Sequence, residues 1–105
     1  MFNLFKRIPS ISTSQLEVEL GKKATLLDVR TPGEYRQGHI PGAKNVPLNK
    51  VDKYKNNTDE TLYVICQSGM RSKRAAKELE KKGYDVINVR GGMSQWKGKV
   101  RGGKL

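Results

Sequence analysis

Apolar and polar positions alternate along the chain in short blocks, and the blocks predict strands and helices in turn. Runs of apolar, β-branched residues bounded by turn formers are typical of buried strands. Apolar residues that recur every three or four positions behind a capping residue are typical of helices. The pattern predicts strands at residues 24–29, 43–48, 61–65 and 85–89, and helical segments at residues 12–20, 31–35, 49–56, 72–82 and 91–96.

The start of the first helix carries the clearest local signal. Ser12 and Gln15 have the spacing of a capping box, and Ile11 with Leu16 have that of a hydrophobic staple. Gly21 should end this helix, as Gly83 should end the helix at 72–82. Strands that alternate with helices in this way predict an α/β fold, a doubly wound and mainly parallel sheet with helices on both faces.

Cys66, the chain's one cysteine, falls on the turn between the strand at 61–65 and the helix at 72–82. The free N–H groups and the dipole of a helix N-terminus favour anions. A thiolate is such an anion, so this position and the nearby cation Arg71 should lower the pKa of Cys66 and make it a nucleophile. Gly69 lets successive N–H groups turn inward around an anion. The alternative is an unreactive cysteine at the end of a buried strand.

Composition limits the remaining possibilities. A length of 105 residues fits one domain, and a hydrophobic fraction of 35% with a mean hydropathy of −0.70 leaves no run that could span a bilayer. Residues 1–7 meet charge too early for a signal peptide, so we expect a cytoplasmic protein without a membrane partner. One cysteine excludes an internal disulfide, and a single histidine makes a metal site improbable. No cofactor is predicted.

The net charge of +11 requires an interpretation, since it is typical of nucleic-acid binding. The 21 Lys and Arg are spread along the chain, and no aromatic residues interleave with their clusters as in a single-strand groove. We therefore predict no specific nucleic-acid partner. A positive field around Cys66 should instead concentrate small anions or an acidic partner protein.

The loop Cys66-Gln67-Ser68-Gly69-Met70-Arg71-Ser72 resembles the active-site loop of rhodanese-type sulfurtransferases. Further stretches resemble that family's other signatures in the same order, from about Ser10 to Trp96. They are Leu27-Asp28-Val29-Arg30 with Glu34-Tyr35, then Gly38-His39-Ile40-Pro41-Gly42-Ala43 with Asn45 and Pro47, and lastly Gly91-Gly92 with Trp96. The resemblance implies a five-stranded rhodanese-like domain at residues 10–97, with an N-terminal extension at 1–9 and a basic flexible tail at 98–105.

The resemblance also implies a two-step transfer of sulfane sulfur. Cys66 would take sulfur from a donor such as thiosulfate as a persulfide and pass it to cyanide, a small thiol or the cysteine of a partner protein. The N–H groups of residues 67–72 would hold the negative charge. Gln67, Ser68, Gly69, Met70, Arg71 and Ser72 are accordingly the expected substrate-binding residues, with Arg71 clamping the donor's oxyanion.

Two other functions stay open. Cysteine phosphatases and arsenate reductases also place a Cys and an Arg on an anion-binding loop, but with five residues between them, whereas Cys66 and Arg71 enclose four. A non-catalytic rhodanese-like binding or sulfur-carrier module is the third candidate, although such modules usually lack the nucleophile. Structural roles are expected for His39, Asp28 and Glu34, and Arg30 is an open candidate for adding positive potential to the pocket.

Overall fold

The computed structural model of the protein describes residues 8–22, 24–56 and 59–102. Its described part contains a five-stranded sheet in which every neighbouring pair is parallel. The strands are β1 (Ser10–Ile11), β2 (Thr25–Asp28), β3 (Lys44–Asn45), β4 (Thr61–Ile65) and β5 (Asp85–Val89), arranged in the order β1-β5-β4-β2-β3. The predicted α/β fold is confirmed, and β4 and β5 have the predicted bounds.

The described residues also form three α-helices and two 3-10 helices, which lie between and after the strands. They are α1 (Thr13–Leu20), α2 (Pro32–Gln37) and α3 (Met70–Lys81), with 3-10 helices at Leu48–Lys53 and Gly92–Gln95. The predicted capping box at Ser12 is confirmed, since the Gln15 N–H donates to Ser12 Oγ and the Ser12 N–H to Gln15 Oε1. Thr31 and Glu34 form a second capping box at the start of α2.

The core forms two layers, one on each face of the sheet. Side chains of β4 alternate between them: Leu62 and Val64 face α3, while Tyr63 and Ile65 face α1. Cys66 continues the first series, so it lies on the α3 face. The α3 layer also contains Leu27, Val29, Val51, Ala75, Ala76, Leu79, Tyr84 and Val86, and the α1 layer contains Leu16, Leu26, Ile40, Ala43 and Val89.

The other predicted elements differ from the observed bounds by up to three residues at their ends. The strand predicted at 43–48 is only Lys44–Asn45, because Pro47 lacks an N–H and caps the following 3-10 helix. The chain still follows β2 there, with the Val46 N–H bonded to the Asp28 carbonyl at 2.9 Å. The helix predicted to begin at 72 begins at Met70, directly after Gly69.

The predicted N-terminal extension and the predicted tail are described only in part. Residues 1–7 and 103–105, which hold most of the predicted extension and part of the predicted tail, lie outside the described residues. Within the predicted tail, Arg101 and His39 exchange two backbone hydrogen bonds of 2.7 and 2.8 Å as an antiparallel bridge. Within the described ranges no helix is long and apolar enough to cross a membrane.

Candidate active site

Cys66 lies at the carboxyl end of the central strand, where β4 is flanked by β5 and β2. The strand is hydrogen-bonded on both sides, so the position of the cysteine backbone is fixed by the sheet. Residues 67–69 then form a tight connection to α3, whose N-cap is Gly69. This is the edge of a parallel α/β sheet at which ligands bind.

The Cys66 side chain is buried and surrounded by hydrogen-bond donors. The Gly69 N–H donates to Cys66 Sγ at 2.9 Å, and Sγ lies 3.3 Å from Ser72 Oγ. Burial is the largest single influence on Cys66 and raises its pKa. Hydrogen bonds from the Ser72 hydroxyl and from the N–H groups of Ser72, Gly69 and Ser68 lower the pKa, and their sum exceeds the effect of burial. The net effect is a pKa below the ordinary value of a thiol, so the loop stabilises the thiolate.

Gly69 makes this geometry possible. Its φ of +107° lies in the left-handed region, where a residue with a Cβ would be strained. In that conformation its N–H turns back towards the sulfur instead of continuing along the chain. The inward-turned N–H predicted from the sequence is therefore present at Gly69. The principal causes that lower the pKa of Cys66 are hydrogen bonds, not the charge of Arg71.

A second segment fixes the loop from behind. The N–H groups of Met93 and Ser94 donate to the carbonyls of Cys66 and Gln67, at 2.8 and 2.9 Å. Gly92 precedes them with a φ of +58° and is buried against the same carbonyls. The 3-10 helix Gly92–Gln95 thus holds the two residues on which the position of the sulfur depends.

Ser72 is connected to a buried amide that the sequence pattern did not single out. Ser72 Oγ lies 2.5 Å from Asn88 Oδ1, and both side chains are almost fully buried. Asn88 is paired with Val64 on the neighbouring strand. Val64 lies two residues before Cys66, so the side chains of Asn88 and Cys66 share a face of the sheet. The Ser72 hydroxyl donates to Asn88 Oδ1, so Asn88 holds the Ser72 oxygen in place beside the sulfur.

Replacing Ser72 with alanine should raise the pKa of Cys66, because one hydrogen bond to the thiolate is lost. A hydrogen bond to a charged group is worth about 1.5–3 kcal/mol, so the ratio of thiolate to thiol at a given pH should fall about tenfold to a hundredfold. The ultraviolet absorbance of the thiolate, followed against pH, measures this directly, since the chain has a single cysteine. An unchanged titration in a folded Ser72→Ala variant would show that the hydroxyl does not stabilise the thiolate.

Arg71 does not contact the cysteine. Its guanidinium forms two hydrogen bonds with the Glu34 carboxylate, Nη1 to Oε1 at 2.7 Å and Nη2 to Oε2 at 2.9 Å. Both side chains are about one third exposed, so solvent screens the pair. The predicted structural role of Glu34 agrees with this ion pair, which ties α2 to the start of α3. Arg71 as a clamp for a donor remains a prediction.

The Glu34–Arg71 pair should contribute stability that is lost in acid. The hydrogen bonds from Arg71 lower the pKa of Glu34 from 4.5 to about 2. A lowered pKa means that the contribution is complete above pH 4.5 and is lost as the pH falls towards 2. We expect Glu34→Gln to cost about 0.5–1 kcal/mol at pH 7, the range of a well-aligned exposed pair, and progressively less below pH 4.5.

Glutamine is the matched replacement, because it also fits the N3 position of the capping box with Thr31. Urea unfolding of the wild type and of Glu34→Gln, at pH 7 and at several lower pH values, gives the difference in their free energies of unfolding. A difference between them that stays constant down to pH 2 would mean that the pair's charge contributes nothing.

Arg30 is buried beside the loop and faces a small cavity. Its guanidinium binds the Asp28 carboxylate at 2.8 Å and the Gly38 carbonyl at 2.7 Å, and Nη1 lies 3.4 Å from Gln67 Oε1. Asp28 thereby has the structural role predicted for it. The cavity has a volume of about 340 Å³ and is lined by Arg30, Glu34, Gln37, Gly38, Gln67 and Met93. It adjoins the Cys66 loop through Gln67.

His39 lies outside this group. Its ring stacks on Tyr35, with centroids 3.6 Å apart, and its Nδ1 is bonded to the Tyr35 carbonyl at 2.8 Å. Its backbone holds Arg101. These contacts agree with the predicted structural role, and none of them involves the Cys66 loop.

The remaining loop residues point in different directions. Gln67, Ser68 and Met70 are exposed, whereas Ser72 is buried beneath them. The structure therefore places Gly69 and Ser72 at the sulfur, Gln67 at the cavity, Met70 at the surface and Arg71 in the ion pair. Reasoning from sequence missed Asn88 and Met93. A polar residue inside the apolar run 86–89 was the available signal for Asn88.

Comparison with known proteins agrees with this arrangement. The sequence model of the family described as "Rhodanese-like domain" matches residues 12–99. Bacillus subtilis YqhL, an uncharacterized protein, is 44% identical over 86 residues, which cover 79% of this chain and 68% of YqhL.

Two solved structures share the fold. A rhodanese-like domain protein from Staphylococcus aureus superposes with a TM-score of 0.83 at 35% identity, covering 90% of this chain and 98% of that one. The human single-domain sulfurtransferase TSTD1 superposes with a TM-score of 0.78 at 27% identity, covering 84% and 94%. Since the family's sequence model spans most of the chain and these structures share its sheet, the chain belongs to the rhodanese-like domain family.

Proposed function

We propose that this protein is a sulfurtransferase that carries sulfane sulfur on Cys66 as a persulfide. The observation that supports this best is the environment of the sulfur: a buried cysteine that receives the Gly69 N–H at 2.9 Å and lies beside the Ser72 hydroxyl. Such a cradle stabilises a negative sulfur, which is the reactive form of a thiol and the charged form of a persulfide. TSTD1, named a sulfurtransferase, is one relative in structure.

In the first step the Cys66 thiolate attacks the outer sulfur of thiosulfate. A sulfur–sulfur bond forms to Cys66 while the bond within thiosulfate breaks, and sulfite leaves with that electron pair. In the second step cyanide or a thiolate attacks the outer sulfur of the persulfide, and the Cys66 thiolate is regenerated. The nucleophile is activated by hydrogen bonds rather than by a paired base.

The loop residues have distinct roles in this proposal. The backbone N–H groups of Ser68, Gly69 and Ser72 hold the charge on sulfur, and the Ser72 hydroxyl adds to them. Gln67 and Arg30 line the adjoining cavity, where they offer N–H groups to an anionic sulfur donor. Asp28 balances the charge of Arg30, so this contribution is hydrogen bonding rather than net charge. Arg71 contributes its charge from the Glu34 pair and binds a donor directly only when it leaves that pair.

The acceptor comes from outside, because the chain has no second cysteine to resolve the persulfide. We propose a small thiol, cyanide or the cysteine of a partner protein, in the cytoplasm, where thiols stay reduced. Thiosulfate is the proposed donor because it is a small oxyanion that carries a sulfane sulfur, and the cavity offers it the Gln67 amide and the Arg30 guanidinium. The same site would serve a sulfur carrier, which differs only in holding the persulfide until a partner takes it.

Phosphatase or arsenate reductase chemistry is the alternative for a Cys and Arg loop. Four residues separate Cys66 from Arg71, which favours a cradle for a single sulfur over one for a tetrahedral anion. This spacing favours sulfur transfer.

The test is the release of sulfite when the reduced protein meets thiosulfate without any acceptor. We expect one equivalent of sulfite per protein, then continued release once cyanide is added. An aryl phosphate and arsenate are tested in parallel. Phosphate release or arsenate reduction without sulfite release would replace this proposal with the alternative, and inertness towards all three with a free thiol would favour a non-catalytic module.

A further inference from the structure

Helix α3 carries a line of lysines that begins at the Cys66 loop. Lys73, Lys77 and Lys81 are exposed and follow Met70 at intervals of three, four and four residues. At 3.6 residues per turn these four positions fall within about 80° of arc, so they form one line along the helix. We call this line, from Met70 to Lys81, the basic stripe.

The lysines of the basic stripe form no ion pair with the described part of the chain. Among the residues that the structure describes, no carboxylate lies within ion-pair distance of Lys73, Lys77 or Lys81. The nearby Lys82, by contrast, is bonded to the carbonyls of Asp52 and Tyr54, both at 2.7 Å. The opposite side of α3 is buried in the core, so the stripe lies on the face that α3 presents to solvent, which also carries Arg74 and Glu78.

Met70 gives the stripe an apolar end at the loop. It is 74% exposed, one of the few large apolar side chains left so open in the described structure. Methionine is enriched at protein interfaces and packs on partners of irregular shape. The loop end of the stripe is therefore apolar and adaptable, while the remainder is positively charged.

We propose that the basic stripe is a docking surface for an acidic segment of the protein that exchanges sulfur with Cys66. The proposal rests on the function proposed above and specifies its partner: a protein whose reactive thiol is followed by a run of acidic residues. The carboxylates pair with Lys73, Lys77 and Lys81, and a residue next to the thiol packs on Met70. Docking raises the local concentration of the thiol at the loop.

A protein fits the stripe better than a nucleic acid does. Single-stranded nucleic acids bind to basic grooves that also offer aromatic side chains for stacking, and α3 has no aromatic residue. The stripe is also a single line with an apolar end, whereas a backbone of phosphates needs charge along its whole path. Acidic side chains beside a thiol match both features.

The length of the stripe sets the size of the probe. Met70 and Lys81 are eleven residues apart, about 16 Å along a helix that rises about 1.5 Å per residue. An extended segment rises about 3.3 Å per residue, so about five residues span the stripe. The probes are three peptides of equal length, in which one cysteine precedes a run of about five glutamates, glutamines or lysines.

The experiment measures the rate at which each peptide removes sulfur from the Cys66 persulfide. Each rate is divided by the fraction of the peptide present as thiolate, because neighbouring charges change the pKa of the peptide thiol. At low ionic strength the glutamate peptide should react at least about tenfold faster than the glutamine peptide, and the lysine peptide more slowly. The preference should disappear at high salt. It should also disappear in the variant Lys73→Glu/Lys77→Glu/Lys81→Glu.

A matched control carries the same charge change on the other face of the sheet, as Lys22→Glu/Lys97→Glu/Lys99→Glu, and should keep most of the preference. A neutral small thiol should react equally with all three proteins, which separates damage to the site from loss of docking. Equal rates for the glutamate and glutamine peptides would overturn the docking surface while leaving sulfur transfer intact. Tighter, stripe-dependent binding of a single-stranded oligouridine than of the glutamate peptide would overturn it in favour of nucleic acid.

If no persulfide forms on the wild-type protein, the proposed function and the docking surface fall together. If it forms and the small thiol removes it, the peptide rates decide the docking surface alone.

Discussion

Replacing Cys66 with serine is expected to abolish sulfur transfer. A serine hydroxyl cannot become an anion at neutral pH in this loop and cannot hold a transferred sulfur, so no covalent intermediate forms. Removing the nucleophile of an enzyme that forms a covalent intermediate costs several orders of magnitude in rate, and we expect at least about a thousandfold loss in kcat/KM. Thiocyanate formed from thiosulfate and cyanide measures the loss.

The fold should survive this change, because the serine hydroxyl can still accept the Gly69 N–H that now points at the sulfur. Urea unfolding of the variant checks this, and Cys66→Ala offers a second inactive variant if the serine disturbs the core. Thiocyanate formation by a folded Cys66→Ser protein at even a tenth of the wild-type rate would exclude Cys66 as the carrier of sulfur.

Replacing Gly92 with alanine should have the second largest effect, because the loop that holds the sulfur leaves no room for a side chain there. A Cβ at Gly92 would lie 2.3 Å from the Cys66 carbonyl oxygen and 2.8 Å from the Gln67 carbonyl carbon. These are backbone atoms and cannot rotate away, and the φ of +58° adds strain. We expect a stability loss of about 2–4 kcal/mol, the combined cost of overpacking and strain.

Gly42→Ala is the matched control. Gly42 also has a positive φ, +88°, but its Cβ would meet nothing within 4 Å. Only the conformational cost remains there, about 1 kcal/mol. Gly92→Ala should therefore be clearly less stable than Gly42→Ala in urea, and its Cys66 should titrate at a different pH, whereas Gly42→Ala should titrate like wild type. Equal losses from both changes would mean that the close approach of Gly92 to the loop has no energetic consequence.

The strands and helices could be predicted where one residue type decides the local structure. Thr61 to Ile65 forms a strand because every side chain after Thr61 is buried on one face or the other, and this requires a continuous apolar run. Ser12 caps α1 through its own side chain. The short edge strand β1 could not be predicted from the pattern, because two residues carry no periodicity and its pairing with β5 depends on the assembled sheet.

The candidate site could be predicted in position but not in its contacts. A lone cysteine shortly before a glycine, at the end of a predicted buried strand, indicated where a loop for an anion should lie. The partner of Arg71 could not be read from that loop, because Glu34 lies 37 residues earlier and meets it only when α2 packs beside the start of α3. The contact between Asn88 and Ser72 likewise depends on the register of β5 against β4, which the sequence does not state.

The most direct test of sulfur transfer through Cys66 is the intact mass of the reduced protein before and after incubation with thiosulfate. The proposed mechanism predicts a gain of one sulfur atom in the wild type, its removal by cyanide or a thiol, and no gain in Cys66→Ser. A wild-type protein that stays at its original mass, with Cys66 shown to be free and the fold intact, would contradict a thiosulfate-derived persulfide. A gain that persists in Cys66→Ser would contradict the role of Cys66.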